Sequence, residues 1–298
     1  MRRVQTGCRV HFGLLPPGPT GRHGGCGMMV QQPTITVMAT RADSWQFTGS
    51  LAAVAEQVVD RLGRRSGQPY HIEVTTTVPA HAGLGSGTQI ALAVAAALSP
   101  PGESFNVTSI AHRLGRGQRS WVGTLGFAEG GLVVDLGSDE SPRRLIFPES
   151  WPLWLAVPAR GSNWSGEQEQ RAFDRLAGVA GATRSIMLQW LTEALAPAVE
   201  RGDWPLFSAA LREYNRQAGR WFAAVQGGEF SEPRVADCVA LLEAAGGAAG
   251  QSSWGPTVFA VLPPGSKETC AGLAAAVGRL GYRLLPTYAR NAGYKVIE

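Results

Sequence analysis

A chain of 298 residues, 44% hydrophobic and 17% charged, can bury a substantial core and has the length of two domains rather than one or three. A composition this apolar excludes a disordered protein. The longest apolar run, Ile90 to Leu98, is half a membrane span, and Met-Arg-Arg leads into Gly7, Cys8 and Arg9 before any apolar stretch. Neither a bilayer helix nor a secretory leader is therefore expected, and the cytoplasm is the default location.

The net charge of +4 hides a bias: of 27 basic residues 25 are Arg, the exceptions being Lys267 and Lys295. Planar, bidentate guanidinium groups suit a phosphate-rich substrate. They are scattered, however, with no basic run longer than two, which argues against nucleic acid as a partner. Cys8, Cys26, Cys238 and Cys270 lie too far apart for a zinc site or a disulfide framework and read as free thiols.

In chain order, alternation predicts a strand over 3–12, ending at His11-Phe12-Gly13. A turn-rich loop then runs from Leu14 to Gly27, with Arg22 and His23 as lid contacts. A strand over 30–40 is followed by an amphipathic helix over 50–63, with Leu51, Val54, Val58, Val59 and Leu62 on one face. The β-branched stretch Tyr70 to Val78 is a strand, the Ala/Leu segment up to Leu98 a helix, and 106–114 a further helix. Glycine-rich strands are expected around 118–138 and 143–147, with Glu129 and Asp135 flanking a hairpin at Gly130-Gly131. The pattern breaks between Pro148 and Pro152, which sets domains of 1–150 and 151–298. The second half reads as strand 152–158, helices 165–179, 182–198, 203–223 and 233–245, strands 247–251 and 257–262, helix 266–280 and strand 282–288. That order predicts an α+β sandwich, with helices on one face of an antiparallel sheet.

The sharpest motif is Pro79-Ala80-His81-Ala82-Gly83-Leu84-Gly85-Ser86-Gly87-Thr88, between a strand and a helix. Its glycines let backbone approach a ligand, the helix start offers unpaired N–H groups to an anion, and Ser86 and Thr88 add hydroxyls. The bland alternative is a glycine-rich turn with a hydroxyl cap. It is no Walker loop, which needs Gly-Lys-Ser/Thr, and no Gly-x-Ser-x-Gly elbow, because Leu84 stands at the first glycine. A dinucleotide fingerprint is excluded by the missing third glycine, and no βαβ unit is expected around it.

The Pro-x-x-x-Gly-Leu-Gly-Ser pattern resembles the phosphate loop of the GHMP kinase superfamily. Within it, Arg9-Val10-His11-Phe12-Gly13-Leu14, Gly85-Ser86-Gly87-Thr88-Gln89, Gly115-Arg116-Gly117…Ser120 with Phe127-x-Glu129-Gly130-Gly131, and Gly250-Gln251-Ser252-Ser253-Trp254-Gly255-Pro256-Thr257 are similar to the β-ribofuranosylaminobenzene 5′-phosphate synthase family. The resemblance implies a two-domain fold, an N-terminal βα domain plus a C-terminal ferredoxin-like α/β sandwich. It implies condensation of phosphoribosyl diphosphate with 4-aminobenzoate or 4-hydroxybenzoate, with loss of CO2 and diphosphate, in methanopterin biosynthesis and so in one-carbon metabolism. It also implies Mg²⁺, and a homodimer as a candidate state.

On this reading Gly83, Leu84, Gly85, Ser86, Gly87 and Thr88 hold phosphate, with Arg9, Arg116 and Arg119 as charge clamps. Ser252, Ser253 and Gly255 approach from the other side, Trp254 stacks on the aromatic substrate or packs an interface, and His11 assists proton transfer. Ser86 and Glu129 are the candidate magnesium ligands, and Arg290 and Asn291 are weaker site candidates. Superfamily kinases carry an Asp in a Ser-Gly-x-Asp stretch; the matching Ser120-Trp121-Val122-Gly123 has glycine there, which argues against phosphoryl transfer. The alternatives are an ATP-dependent small-molecule kinase and a non-catalytic protein binding RNA or ligand.

Overall fold

The computed structural model describes residues 1–100, 102–161, 167–176, 181–266 and 271–298. Lys267, Cys270 and parts of the helices expected over 165–179 and 266–280 lie outside the described residues.

The first sheet is built on two long antiparallel strands, β1 (Arg2–Leu15) and β2 (Gly24–Arg41). They pair from Arg2↔Ala39 to Leu15↔Gly24, so the loop expected over 14–27 shrinks to a hairpin tip. Arg184 ties that tip down through Pro16 O and Leu136 O, Arg22 donates to Ser138 O (2.7 Å), and His23 Nδ1 meets Leu15 O (3.2 Å). Arg22 and His23 thus pin a hairpin instead of forming a lid. Register shifts at Gly7/Cys8 and His11/Gly13 bracket the segment carrying Arg9 and His11, the kind of irregularity that re-aims side chains beside a site.

A short strand that alternation did not reveal, β3 (Gln46–Gly49), runs parallel to β4 (Tyr70–Thr76), joined by α1 (Ala52–Arg61). A βαβ unit therefore does precede the glycine loop. Helix α2 (Ser86–Ala97) follows the loop with ten of its twelve residues buried, apolar all round as a central helix must be. After α3 (Val107–Arg113) comes the main departure from expectation: 122–129 is a helix, α4 (Val122–Glu129), and only then β5 (Leu132–Asp135) and β6 (Arg143–Leu145). The glycines there serve close packing, since a Cβ on Gly126 would lie 2.8 Å from the Met29 side chain. Asp135 holds the start of this helix, accepting from Trp121 N (2.8 Å) and Gly137 N (3.0 Å).

The second half has a ferredoxin-like arrangement. Its antiparallel sheet has the order β10-β7-β9-β8, formed by β7 (Leu153–Pro158), β8 (Ala248–Gln251), β9 (Val258–Val261) and β10 (Tyr282–Thr287). The helices are α5 (Glu167–Leu176), α6 (Gly181–Gln189), α7 (Ala196–Arg201), α8 (Trp204–Gln226), α9 (Pro233–Ala244) and α10 (Ala271–Arg279), with a π-helical turn Trp190–Leu195 joining α6 to α7. The chain then returns to the first sheet: Arg290 N donates to Met29 O, Tyr294 N to Phe127 O, and β11 (Lys295–Ile297) pairs with β1 at Arg3–Gln5. A cut near residue 150 separates the two sheets except for this return. Phe12, Phe147, Trp151, Phe207 and Phe259 share one core across the cut. Cys8, Cys26 and Cys238 are buried free thiols, and burial pushes Cys8 up to about 12.

Candidate functional site

The glycine loop is shaped by backbone that favours glycine. Gly83 and Gly85 have φ of +84° and +66°, and Gly85 leads into α2 with no side-chain cap and no acidic residue in the first turn. The N–H groups of Ser86 and Gly87 therefore open a helix that offers them no internal acceptor, at the positive end of its dipole. Arg9 lies alongside: its N–H donates to Leu84 O (3.0 Å) and its guanidinium to Gly83 O (3.3 Å). The Arg116 guanidinium comes within 3.8 Å of where a Cβ on Gly87 would stand. Leu84 itself is buried, so it contributes packing and a committed carbonyl.

The C-terminal loop between β8 and β9 closes onto this cradle. Ser252 Oγ donates to Gly83 O (2.8 Å) and accepts from His11 N (3.0 Å); Ser253 N donates to His11 O (3.2 Å) and Thr257 N to Ala82 O (3.2 Å). A Cβ on Gly83 would sit 2.5 Å from Ser252 O and 2.8 Å from Gly255 O, so the two loops touch at a glycine. Arg9, His11, Gly83–Thr88, Arg116 and Ser252–Gly255 are thus gathered at one place. Ser252→Ala removes a bond to Gly83 and leaves a buried N–H at His11; calorimetry is expected to show a loss of about 1–3 kcal/mol.

Two buried amides missed by the sequence reading support the site. Asn215, on α8, donates to Phe12 O (2.6 Å) and Gln251 O (2.9 Å) and accepts from Gln251 N (3.0 Å). Gln89, fully buried in α2, accepts from Thr6 Oγ1 (3.0 Å) and donates to Gly123 O (2.8 Å). Asn215 could have been found: it interrupts the apolar stripe Phe207, Leu211, Tyr214, Ala218, Phe222 at helical spacing.

Other residues fall elsewhere. Trp254 is buried against Phe222 (4.5 Å between ring centroids) and Phe173 (5.4 Å), packing an interface between the C-terminal loop and the helices. Arg119 lies 4.0 Å over the Phe173 ring, a cation–π contact. Arg290 and Asn291 serve the C-terminal return, Asn291 exchanging two hydrogen bonds with the Phe147 backbone. Glu129 is exposed at the end of α4, about 10 Å along the helix from Val122. The turn that meets the loop is the opposite one, where a Cβ on Gly123 would lie 3.5 Å from Thr88. Glu129 and Ser86 are therefore not brought together. Magnesium prefers one or two carboxylates plus substrate phosphates. Among the described residues no three His, Cys, Asp or Glu side chains form a metal cluster.

Burial, reinforced by the Arg9 charge, holds the His11 imidazole well below its ordinary value of 6.5, so it is neutral in the folded protein near pH 7. The unfolded chain takes up that proton first, so stability falls as pH drops below about 6.5, by up to about 1.4 kcal/mol per unit. The difference in unfolding free energy between the wild type and His11→Gln is expected to shrink from pH 7.5 to 5. An identical difference at both would contradict the burial argument.

A glycine loop at a helix start, facing the loop between β8 and β9, is the arrangement expected of a GHMP-type fold, and the comparisons show that fold. Residues 51–120 match the model of the GHMP kinases N terminal domain, and 195–272 that of the GHMP kinases C terminal domain. Solved structures of the same fold include the Methanococcus jannaschii mevalonate kinase (TM-score 0.70, 12% identity, 97% of this chain and 98% of that one) and the Cytophaga hutchinsonii homoserine kinase (TM-score 0.64, 18%, 99% and 96%). In sequence it is 29% identical to a β-ribofuranosylphenol 5′-phosphate synthase of Archaeoglobus fulgidus, over 99% of both chains. It is 27% identical to that of Methanothermobacter thermautotrophicus, over 99% of this chain and 98% of the relative. The chain is therefore similar over its full length to β-ribofuranosylphenol 5′-phosphate synthases and carries the N- and C-terminal domain matches of the GHMP kinases, relatives that are enzymes. Among the described residues no helix is long and apolar enough to cross a membrane.

Proposed function

We propose that this enzyme joins phosphoribosyl diphosphate to 4-hydroxybenzoate, releasing CO2 and diphosphate, as a step of methanopterin biosynthesis. The observation that carries the reading is the anion cradle with glycine at position 123, where the superfamily kinases place a carboxylate and where this chain meets Thr88 and Gln89. Phosphoryl transfer to an alcohol lacks that base; displacement of diphosphate from ribose needs charge stabilisation instead. The relatives are named for a phenol product, which favours the hydroxy acid over 4-aminobenzoate.

In this reading the Ser86 and Gly87 N–H groups, the Ser86 and Thr88 hydroxyls and the Arg9 and Arg116 guanidinium groups hold the diphosphate. The ribose C1–oxygen bond breaks with its electron pair leaving on diphosphate. The ring carbon bearing the carboxylate bonds to C1, and the carbon–carboxylate pair then restores aromaticity as CO2 departs. Magnesium would arrive with the diphosphate as part of the substrate.

Carboxyl-labelled 4-hydroxybenzoate is expected to release CO2 only with phosphoribosyl diphosphate and Mg²⁺ both present, and Ser86→Ala to lower kcat/KM about 10–100-fold. ATP consumption with an alcohol substrate, and no CO2 release from either acid, would return the chain to the kinases.

A further inference from the structure

The Gly115-Arg116-Gly117…Ser120 segment carries a hydroxyl that the reading above leaves without a task. Ser120 is half-exposed at the start of α4, and its Oγ accepts from Val122 N (3.2 Å) and lies 3.4 Å from His11 Nε2. Both partners are fixed. Trp121 N is held by Asp135, and the neighbouring Arg119 is stacked on Phe173. The His11 backbone is clamped to Ser252 and Ser253, while its ring is only 2% exposed and its Nδ1 meets no hydrogen-bond partner. In the tautomer that carries the imidazole proton on Nδ1, and with Val122 N–H on one lone pair, the Ser120 hydroxyl directs its proton at His11 Nε2 and keeps a second lone pair for a donor.

The geometry points to Ser120 as a catalytic residue, whose Oγ takes the 4-hydroxyl proton of the aromatic acid while passing its own proton to His11 Nε2. The inference rests on the proposed reaction and supplies the step that reaction lacks. When the carboxylate-bearing carbon bonds to ribose, positive charge appears on the hydroxyl oxygen para to it, and its proton becomes strongly acidic. A weak neutral base is enough at that moment, and His11, kept neutral by burial with Arg9 the charged group facing it, is one. Loss of the proton leaves a neutral dienone. Loss of CO2 returns the carbon–carboxylate pair to the ring, the oxygen regains phenolate character, and the proton comes back from His11 through Ser120. The protein ends unchanged. The 3.4 Å separation is long for such a relay, and is of the kind that tightens when substrate binds.

The test uses Ser120→Ala, Ser120→Thr and His11→Gln in the full-length enzyme, with 4-hydroxybenzoate and the more acidic 3-fluoro-4-hydroxybenzoate, reading CO2 release from pH 6 to 9. The expected result is kcat about 100-fold lower at pH 7 in Ser120→Ala and His11→Gln, with the KM for phosphoribosyl diphosphate within twofold. The alanine variant's rate should climb with pH as the substrate ionises by itself, with the climb moved to lower pH by fluorine, and Ser120→Thr should recover most of the activity. A kcat within threefold of wild type in Ser120→Ala, or pH profiles parallel to the wild type with both acids, overturns the relay while leaving the reaction intact. No CO2 release by the wild type removes the reaction and the relay with it.

Discussion

Gly83→Ala is expected to cost more than 100-fold in kcat/KM. Two independent costs meet there. A φ of +84° is unfavourable for alanine by about 1–2 kcal/mol, and the new Cβ would stand 2.5 Å from Ser252 O and 2.8 Å from Gly255 O. Those carbonyls cannot easily retreat. Ser252 N is bonded to Thr257 O, Gly255 N to Ser252 O, and Thr257 N to Ala82 O, so the C-terminal loop is braced against the segment it would have to leave. The strain must separate the halves of the cradle, and a displacement of about 1 Å between positioning groups is worth about 100-fold in rate. CO2 release and thermal unfolding measured together decide it. Activity within fivefold of wild type would mean that the contact between the two loops is not required.

Asn215→Ala is expected to lower the unfolding free energy by about 3–5 kcal/mol in urea titration. Its side chain answers three buried backbone groups, Phe12 O, Gln251 O and Gln251 N, and each group left unpaired costs about 1–3 kcal/mol. The site for the amide is tight as well, since a Cβ on Gly250 would be 2.3 Å from Asn215 Oδ1. Phe12 adjoins His11 and Gln251 adjoins Ser252, so the same variant should raise the KM for phosphoribosyl diphosphate. A loss below 1 kcal/mol would show that the bonds of Ser252 and Ser253 to the His11 backbone suffice to hold β1 beside β8.

Much of this was legible in the residues. The strand–glycine loop–helix signal located α2 and the cradle, because glycine and hydroxyl residues are constrained there by local backbone geometry. The 122–129 segment was misread as strand because Gly123, Gly126 and Gly130 look like breakers in isolation. In the structure Gly123 and Gly126 are helix glycines chosen for proximity to Thr88 and Met29, a reason that lives in tertiary contacts. Strands β3 and β11 are three or four residues long and owe their existence to β4 and β1, so no periodicity could announce them. Glu129 stands beside Gly130-Gly131 in sequence, and a helix of eight residues places it at the end of α4 away from Thr88. The sequence allows Trp254 either a ligand or an interface, and in the structure its ring packs on Phe173 and Phe222, neighbours far from it in the chain.

The return of residues 288–298 to the first sheet gives synthesis a direction. Strand β1, which presents Arg9 and His11, leaves the ribosome well ahead of its outer neighbour, at 295–297, which emerges nearly three hundred residues later. Its inner contacts to Ser252, Ser253 and Asn215 are almost as late. Until then one margin of that strand is a bare row of hydrogen-bonding groups, open to pairing with any extended chain. The nascent protein is therefore exposed to misassembly at the strand that carries Arg9 and His11, and a chain cut short of residue 295 would keep that exposure permanently.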